Sequence, residues 1–393
     1  MIESFSFTPF PQIYFGEGEF LKLPGRIKRK HSKILLLTGG NSLKKSGILD
    51  QFCTELNNSG IDFCIEQIVS EPSPEMIDLV VADQKPNGID LVVAVGGGSV
   101  LDAGKAIAAM LPLDDSIINY LEGVGTKDHP GTTLPFAAIP TTAGTGSEAT
   151  KNAVISQIGE SGFKKSLRHD NFIPEFAVLD PTLMLSCPEP LTAACGMDAI
   201  TQLLESYVST KANPITDALA FGALEKAIPA FQRAVKNGNE DIEARAALAY
   251  GAMISGITLA NAGLGIVHGF ASPIGGFFDI PHGVVCGTLL PSATEINIIR
   301  LKEKNDKEHR ERLNKHVKVA RIFEDTANLS DAEALDFLVQ KFYTWAEEFN
   351  IPKMSFYGIS KVDLPKIIKA TGQKNNPVIL SEKDLEEILL KRL

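Results

Sequence analysis

The stretch Ile89-Asp-Leu-Val-Val-Ala-Val95-Gly96-Gly97-Gly98-Ser99-Val-Leu-Asp102-Ala-Gly-Lys105 decides the fold. Its first seven residues form a nearly unbroken apolar, β-branched run closed by glycine, the pattern of a strand buried on both faces. The residues after the glycines have helical spacing, so the chain passes from strand through a tight turn into a helix. Glycine lets backbone N–H groups come close to a phosphate, and the N-terminus of the following helix is electropositive. Three consecutive glycines exceed what a plain turn needs, which favours an anion site here over a tight strand-to-helix turn with no ligand. Ser99 is placed to cap the helix, with Asp102 at the reciprocal capping position.

Similar runs lie upstream at 33–38 and 61–68. The starts at 33, 61 and 89 are 28 residues apart in both steps, the size of a βαβ unit, with helical patterns over about 43–58 and 74–85. Further strand candidates are 136–139, 153–156 and 177–180. After Asp180-Pro181 the pattern becomes helical, over about 190–208, 215–236, 241–263, 312–323, 331–348 and 381–392. Asn213-Pro214 is a strong helix start. The expected fold is a dinucleotide-binding α/β domain with a parallel sheet over residues 1–183, followed by an all-α domain over 184–393. The charged stretch 301–315 is expected to form a solvated helix face carrying His309 and His316.

Two more polar, glycine-bearing turns follow strands. Thr38-Gly39-Gly40-Asn41-Ser42 precedes Lys44-Lys45 and contains no acidic residue to hold a ribose 2′-hydroxyl, which leans toward NADP over NAD. Pro140-Thr141-Thr142-Ala-Gly-Thr145-Gly-Ser147-Glu148 offers four hydroxyls and two glycines. In a parallel sheet all three turns would line the carboxyl edge, where ligands bind.

In the second half, Asp198, Gln202 and Glu205 fall along one face of a helix, so a carboxylate has a second oxygen donor one turn later. His268 and His282 lie in an apolar, glycine-rich stretch where an unligated imidazole is costly. Asp198, Gln202, His268 and His282 could together form a metal site, the alternative being a capped amphipathic helix and two hydrogen-bonded core histidines; the resemblance described below implies the metal site.

The net charge of −10 argues against nucleic-acid and anionic-membrane partners. Five scattered cysteines without a CxxC pair fit reduced thiols in the cytoplasm. No signal peptide is expected at Met1-Ile-Glu-Ser-Phe, and no apolar run is expected to span a bilayer.

These segments together resemble the iron-containing (group III) alcohol dehydrogenase family. The resemblance runs from Phe15-Gly16-Glu17-Gly18 to about Pro291 and rests on GGGSVLDAGK at 96–105, TTAGTGSE at 141–148, LDP at 179–181, GMDAITQLLESYVS at 196–209 and the histidine stretch 268–283, all in the family's order. It implies a dehydroquinate-synthase-like dinucleotide domain, a helical domain and a cleft between them. There NAD or NADP would exchange hydride with a small alcohol, aldehyde or ketone beside a divalent metal, Fe or Zn first and Mn or Mg as alternatives. Carried over by position, the cofactor contacts are Gly39, Ser42, Gly97, Gly98, Ser99, Asp102, Thr141, Thr142, Thr145 and Lys164. The family places a histidine where this chain has Gln202 and another where it has Ser272. Gln202 would ligate through its carbonyl oxygen or hydrogen-bond a water on the metal. Alternatives are a metal-independent enzyme resembling maleylacetate reductases, a zinc enzyme resembling glycerol dehydrogenases, a lyase on the same scaffold and a non-catalytic nucleotide sensor. A cytoplasmic homo-oligomer, such as a homodimer, acting on a small molecule is the expected form.

Overall fold

A computed structural model describes residues 4–304 and 306–393. The chain divides into two compact units, one formed by Thr8–Gln157 with Lys164–Cys187, the other chiefly by Pro188–Leu393.

The first unit is built on a sheet of six strands: β1 (Gln12–Phe15), β2 (Lys33–Thr38), β3 (Asp62–Gln67), β4 (Leu91–Gly96), β5 (Phe136–Pro140) and, after a separate pair β6 (Asn152–Gln157) and β7 (Phe163–Arg168), β8 (Phe176–Leu179). Their order is β1-β8-β5-β4-β2-β3, and every pairing is parallel. The central strands read as apolar runs because helices cover both faces; Ile34 to Leu37 and Leu91 to Val95 are all buried. The 153–156 run pairs with β7 in its own two-stranded sheet and does not join the main one.

Strands β5, β4 and β2 are neighbours, with Thr38 beside Val95 and Gly96 beside Pro140. The three glycine-bearing turns therefore leave the sheet at one edge. From β4 the chain enters the helix Gly98–Met110. A Cβ at Gly104 would stand 2.7 Å from both Ala94 Cβ and Phe136 Cε2, so this glycine lets the helix lie close on the sheet.

The second unit is helical. Its principal helices are Glu189–Val208, Pro214–Asn237, Ile242–Ala262, Ile266–Phe277, His282–Lys302, Lys307–Ala320 and Asp331–Glu348. Asn213 and Ser330 begin their helices with capping boxes, each side chain accepting from a backbone N–H while Thr216 or Glu333 returns the bond. Between Ile242–Ala262 and Ile266–Phe277 the chain turns by 98°. Gly263 makes that turn possible with φ +68°, a left-handed conformation that glycine adopts without strain.

The helix His282–Lys302 is long and apolar enough by composition to cross a bilayer, yet 83% of its apolar window is buried inside the fold, as in a core helix. One expectation, the solvated face for His316, needs correction here. His316 is not on a solvated face: it is 1% exposed, its Nδ1 is 2.9 Å from Arg312 O, and burial pulls its pKa down to about 4. It shares a buried helix face with Val319 and Ala320. His309 keeps partial exposure beside Asp306.

Candidate active site

Asp198 lies within Glu189–Val208, a helix buried on nearly every side, and is only 1% exposed. A carboxylate so enclosed requires charged or hydrogen-bonding partners. Its Oδ1 is 3.2 Å from His268 Nε2 and 3.8 Å from His282 Nε2. Burial alone would raise the Asp198 pKa, but His282, His268 and Gln202 outweigh it and bring the value to about 2. The helix carries the aspartate, and the two helices after the Gly263 bend carry the histidines.

Glu205, two turns beyond Asp198, holds His268 from behind. One carboxylate oxygen accepts from Val267 N at 2.7 Å, and the other is 2.7 Å from His268 Nδ1. Nδ1 thus donates to Glu205, which fixes the ring with Nε2 toward Asp198. Space for this contact depends on Gly265, where a Cβ would come within 3.0 Å of Glu205 Oε1. Burial opposes a charged His268 ring, but Cys286, Asp198 and Glu205 hold its pKa well above the ordinary value.

Gln202 stands on the same face as Asp198, as the helical spacing requires. Its amide nitrogen donates to Asp198 Oδ1 at 3.3 Å, and its carbonyl oxygen accepts from Ser255 Oγ at 3.3 Å. In this orientation it meets the cluster with an N–H. Sequence reasoning missed Cys286, whose Sγ is 3.6 Å from His268 Nε2 and 3.7 Å from His282 Nε2. Burial, with Asp198 nearby, pushes that thiol up to about 12. The available signal was its spacing of four residues from His282 on one helix.

Asp198, His268, His282 and Cys286 each turn a ligand atom to a common point, with those atoms within 4.8 Å of one another. The residues present fit a divalent metal: one buried carboxylate, two imidazole nitrogens and a carboxylate behind one imidazole.

In the first unit, the helix Gly98–Met110 begins at Gly97, and no side chain caps it. The first N–H groups of a helix have no acceptor within it, so this end suits a phosphate. Ser99 lies inside the helix and is not its cap. Asp102 does not close a capping box; it accepts from Ser147 Oγ at 2.5 Å. A Cβ at Gly97 would stand 3.3 Å from Thr142 Oγ1, and one at Gly98 2.8 Å from Thr145 Oγ1, so the 96–98 and 141–148 turns pack directly together. Thr141 N also donates to Gly96 O at 3.0 Å.

Lys105 secures this region from below. Fully enclosed, its ammonium donates to Ser147 O, Ser147 Oγ, Thr150 Oγ1 and Asn152 O at 2.8–3.2 Å. Burial lowers its pKa to about 8 and raises that of neighbouring Glu148 to about 7. Gly39 carries the β2 turn, its carbonyl held by Gln67 Nε2 at 3.0 Å, while Ser42, Lys44 and Lys45 are exposed. Lys164 pairs with both oxygens of Glu71 at 2.7 and 2.8 Å.

A parallel sheet with three polar turns on its carboxyl edge, together with a buried carboxylate–histidine cluster, defines a nucleotide-linked, metal-dependent oxidoreductase. The match to known proteins gives the family. Residues 11–181 match the model described as "Iron-containing alcohol dehydrogenase", and residues 192–393 match "Fe-containing alcohol dehydrogenase family, C-terminal". The chain is 32% identical to 1,3-propanediol dehydrogenase of Citrobacter freundii over 95% of each chain. It is 30% identical to the NAD-dependent methanol dehydrogenase of Bacillus methanolicus over 98% of each. The solved alcohol dehydrogenase from Oenococcus oeni superposes with a TM-score of 0.87 at 31% identity, covering 99% of this chain and 100% of that one. This chain belongs to the iron-containing alcohol dehydrogenase family. It is an oxidoreductase that moves hydride between a nicotinamide cofactor and an alcohol or its carbonyl product with the help of a divalent metal. The metal-free, lyase and sensor alternatives find no support in these relationships.

Proposed function

We propose that this enzyme interconverts small alcohols and their aldehydes or ketones with NADP(H), on a metal held by Asp198, His268 and His282. The convergence of Asp198 Oδ1 with two imidazole Nε2 atoms carries the reading. When bound, the divalent ion supplies Lewis acidity toward the oxygen of the reacting carbon, and the nicotinamide gives or takes the hydride.

The residues divide the remaining work. Glu205 fixes the His268 tautomer, and Gln202 orients Asp198 by donating to it rather than acting as a ligand. Gly97, Gly98 and Ser99 present the helix N-terminus to the pyrophosphate, beside Thr141, Thr142 and Thr145. Asp102 and Lys105 keep the two turns together. Lys164 faces Glu71, so its part in nucleotide binding requires exchanging that partner. Gly39, Ser42 and the exposed Lys44 and Lys45 favour a 2′-phosphate. Small primary alcohols are the substrates to try first, given the propanediol and methanol named for two relatives.

Five cysteines outside any disulfide support a reducing, cytoplasmic setting. The open edge strand β1, with Phe10 and Phe15 exposed near it, supports a homodimer.

The test strips the purified protein with a chelator, then reloads it with Zn, Fe, Mn or Mg and follows nicotinamide absorbance across alcohols and aldehydes. Turnover should vanish on stripping and return with metal. Full activity after complete chelation, or no turnover with any ion, would reject the proposal.

A further inference from the structure

Cys286 has no role in the reading above, yet it is the best-enclosed thiol of the chain, fully buried one turn after His282 on the same helix face. It stands close to both imidazoles at once. A thiol proton serves one nitrogen, so hydrogen bonding alone would need the sulfur to donate to one ring and accept, weakly, from the other.

Both approaches also match the spacing of ligand atoms around a shared ion. In a tetrahedral site with zinc–sulfur bonds near 2.3 Å and zinc–nitrogen bonds near 2.05 Å, sulfur–nitrogen edges measure roughly 3.5–3.6 Å and oxygen–nitrogen edges roughly 3.3 Å. The sulfur–nitrogen edges here are 3.6 and 3.7 Å, and the oxygen–nitrogen edges 3.2 and 3.8 Å. Three helices thus bring a carboxylate, two imidazoles and a thiol together with four of the six donor–donor edges near those of a tetrahedral site and all of them within 4.8 Å.

We propose that Cys286 supplies a thiolate as the fourth protein ligand of the metal centre. The proposal rests on the reading that Asp198, His268 and His282 hold a divalent ion. Binding forms a metal–sulfur bond and breaks the S–H bond, with the proton released to solvent and no change of oxidation state. A thiolate among the donors selects zinc, cobalt or ferrous iron over the harder magnesium and manganese. Gln202 then serves as a prop for Asp198, and the softest donor of the set comes from another helix.

X-ray absorption of the zinc-loaded full-length protein tests this directly. One sulfur neighbour near 2.3 Å is expected among nitrogen and oxygen neighbours at about 2.0–2.2 Å. The sulfur shell should disappear in Cys286→Ser, and the cobalt-loaded variant should lose the near-ultraviolet thiolate-to-cobalt charge-transfer band of the parent. A zinc-loaded parent with only nitrogen and oxygen neighbours would overturn the role of Cys286 and leave the three-residue metal reading standing. A parent that retains no metal at all would overturn both. Because the first measurement uses the unaltered protein, misfolding of the variant cannot obscure the result.

Discussion

Glu205 Oε2 lies 2.7 Å from His268 Nδ1, and the other oxygen of the same carboxylate takes the backbone N–H of Val267. One side chain thereby fixes the start of a helix and the orientation of the imidazole on it. Glu205→Gln keeps an acceptor for Val267 but offers an NH2 group where the imidazole N–H must be accepted. Zinc affinity is expected to fall by about 10–100-fold, measured by competition with a chromogenic chelator. Unchanged affinity would show that Glu205 serves the helix alone.

Gln202→His tests the opposite change. An imidazole one turn after Asp198 can add a nitrogen donor where the glutamine now donates an N–H. Metal retention against the same chelator should rise by about tenfold or more, with zinc and iron gaining over magnesium. If retention falls, the support given to Asp198 by Gln202 outweighs the added ligand.

Cofactor preference should respond to Gly40→Asp in the exposed β2 turn. A carboxylate there repels a 2′-phosphate and holds a 2′-hydroxyl. The ratio of kcat/KM for NADPH over that for NADH is expected to drop by about tenfold or more, equivalent to roughly 1.4 kcal/mol. A ratio that already favours NADH in the parent would count against the NADP assignment.

At Gly98 a methyl group would meet Thr145 Oγ1 at 2.8 Å, so Gly98→Ala forces apart the two turns that pack there. Cofactor KM should rise well before metal content changes, as checked by steady-state kinetics alongside elemental analysis. Equal loss of both would indicate a general folding defect instead.

His316 gives the fold a pH dependence whose sign is fixed by burial. Its pKa is about 4 folded, against the ordinary 6.5 unfolded, so between those values the unfolded chain binds more protons. Its contribution is present above pH 6.5 and is lost as pH falls toward 4, by up to about 3 kcal/mol. His316→Gln can still donate to Arg312 O and does not titrate. Urea unfolding at pH 7 and pH 4.5 should show a smaller acid loss for the variant.

The strand-turn-helix at 91–110 was legible because a buried parallel strand, a glycine turn and a helix each have their own period. Strands β1 and β7 were not: QIYF is short and lies at an edge, and FKKSLR carries too much charge to stand out. The helices Ile266–Phe277 and His282–Lys302 contain glycines and an internal proline each, which local propensity counts against helix. Their burial in the helical unit overrides that preference. His316 was misread because the charge of its neighbours, averaged along the sequence, hides the narrow apolar face it shares with Val319 and Ala320. Asp198, His268 and His282 were legible as unlike residues in apolar surroundings. Cys286 was not, since a cysteine in such a run looks like any small core residue until its neighbours in space are known.

Lys105 ties the 147–152 segment with four hydrogen bonds from beneath the sheet edge. The turn that would receive a nucleotide is therefore held by the protein's own hydrogen bonds, and little chain entropy remains to be lost when a nucleotide binds. Replacing Lys105 would leave every group that faces the ligand in place while converting a rigid receptor into one that must fold around its guest. Such a protein would show its defect as slower, more temperature-sensitive association.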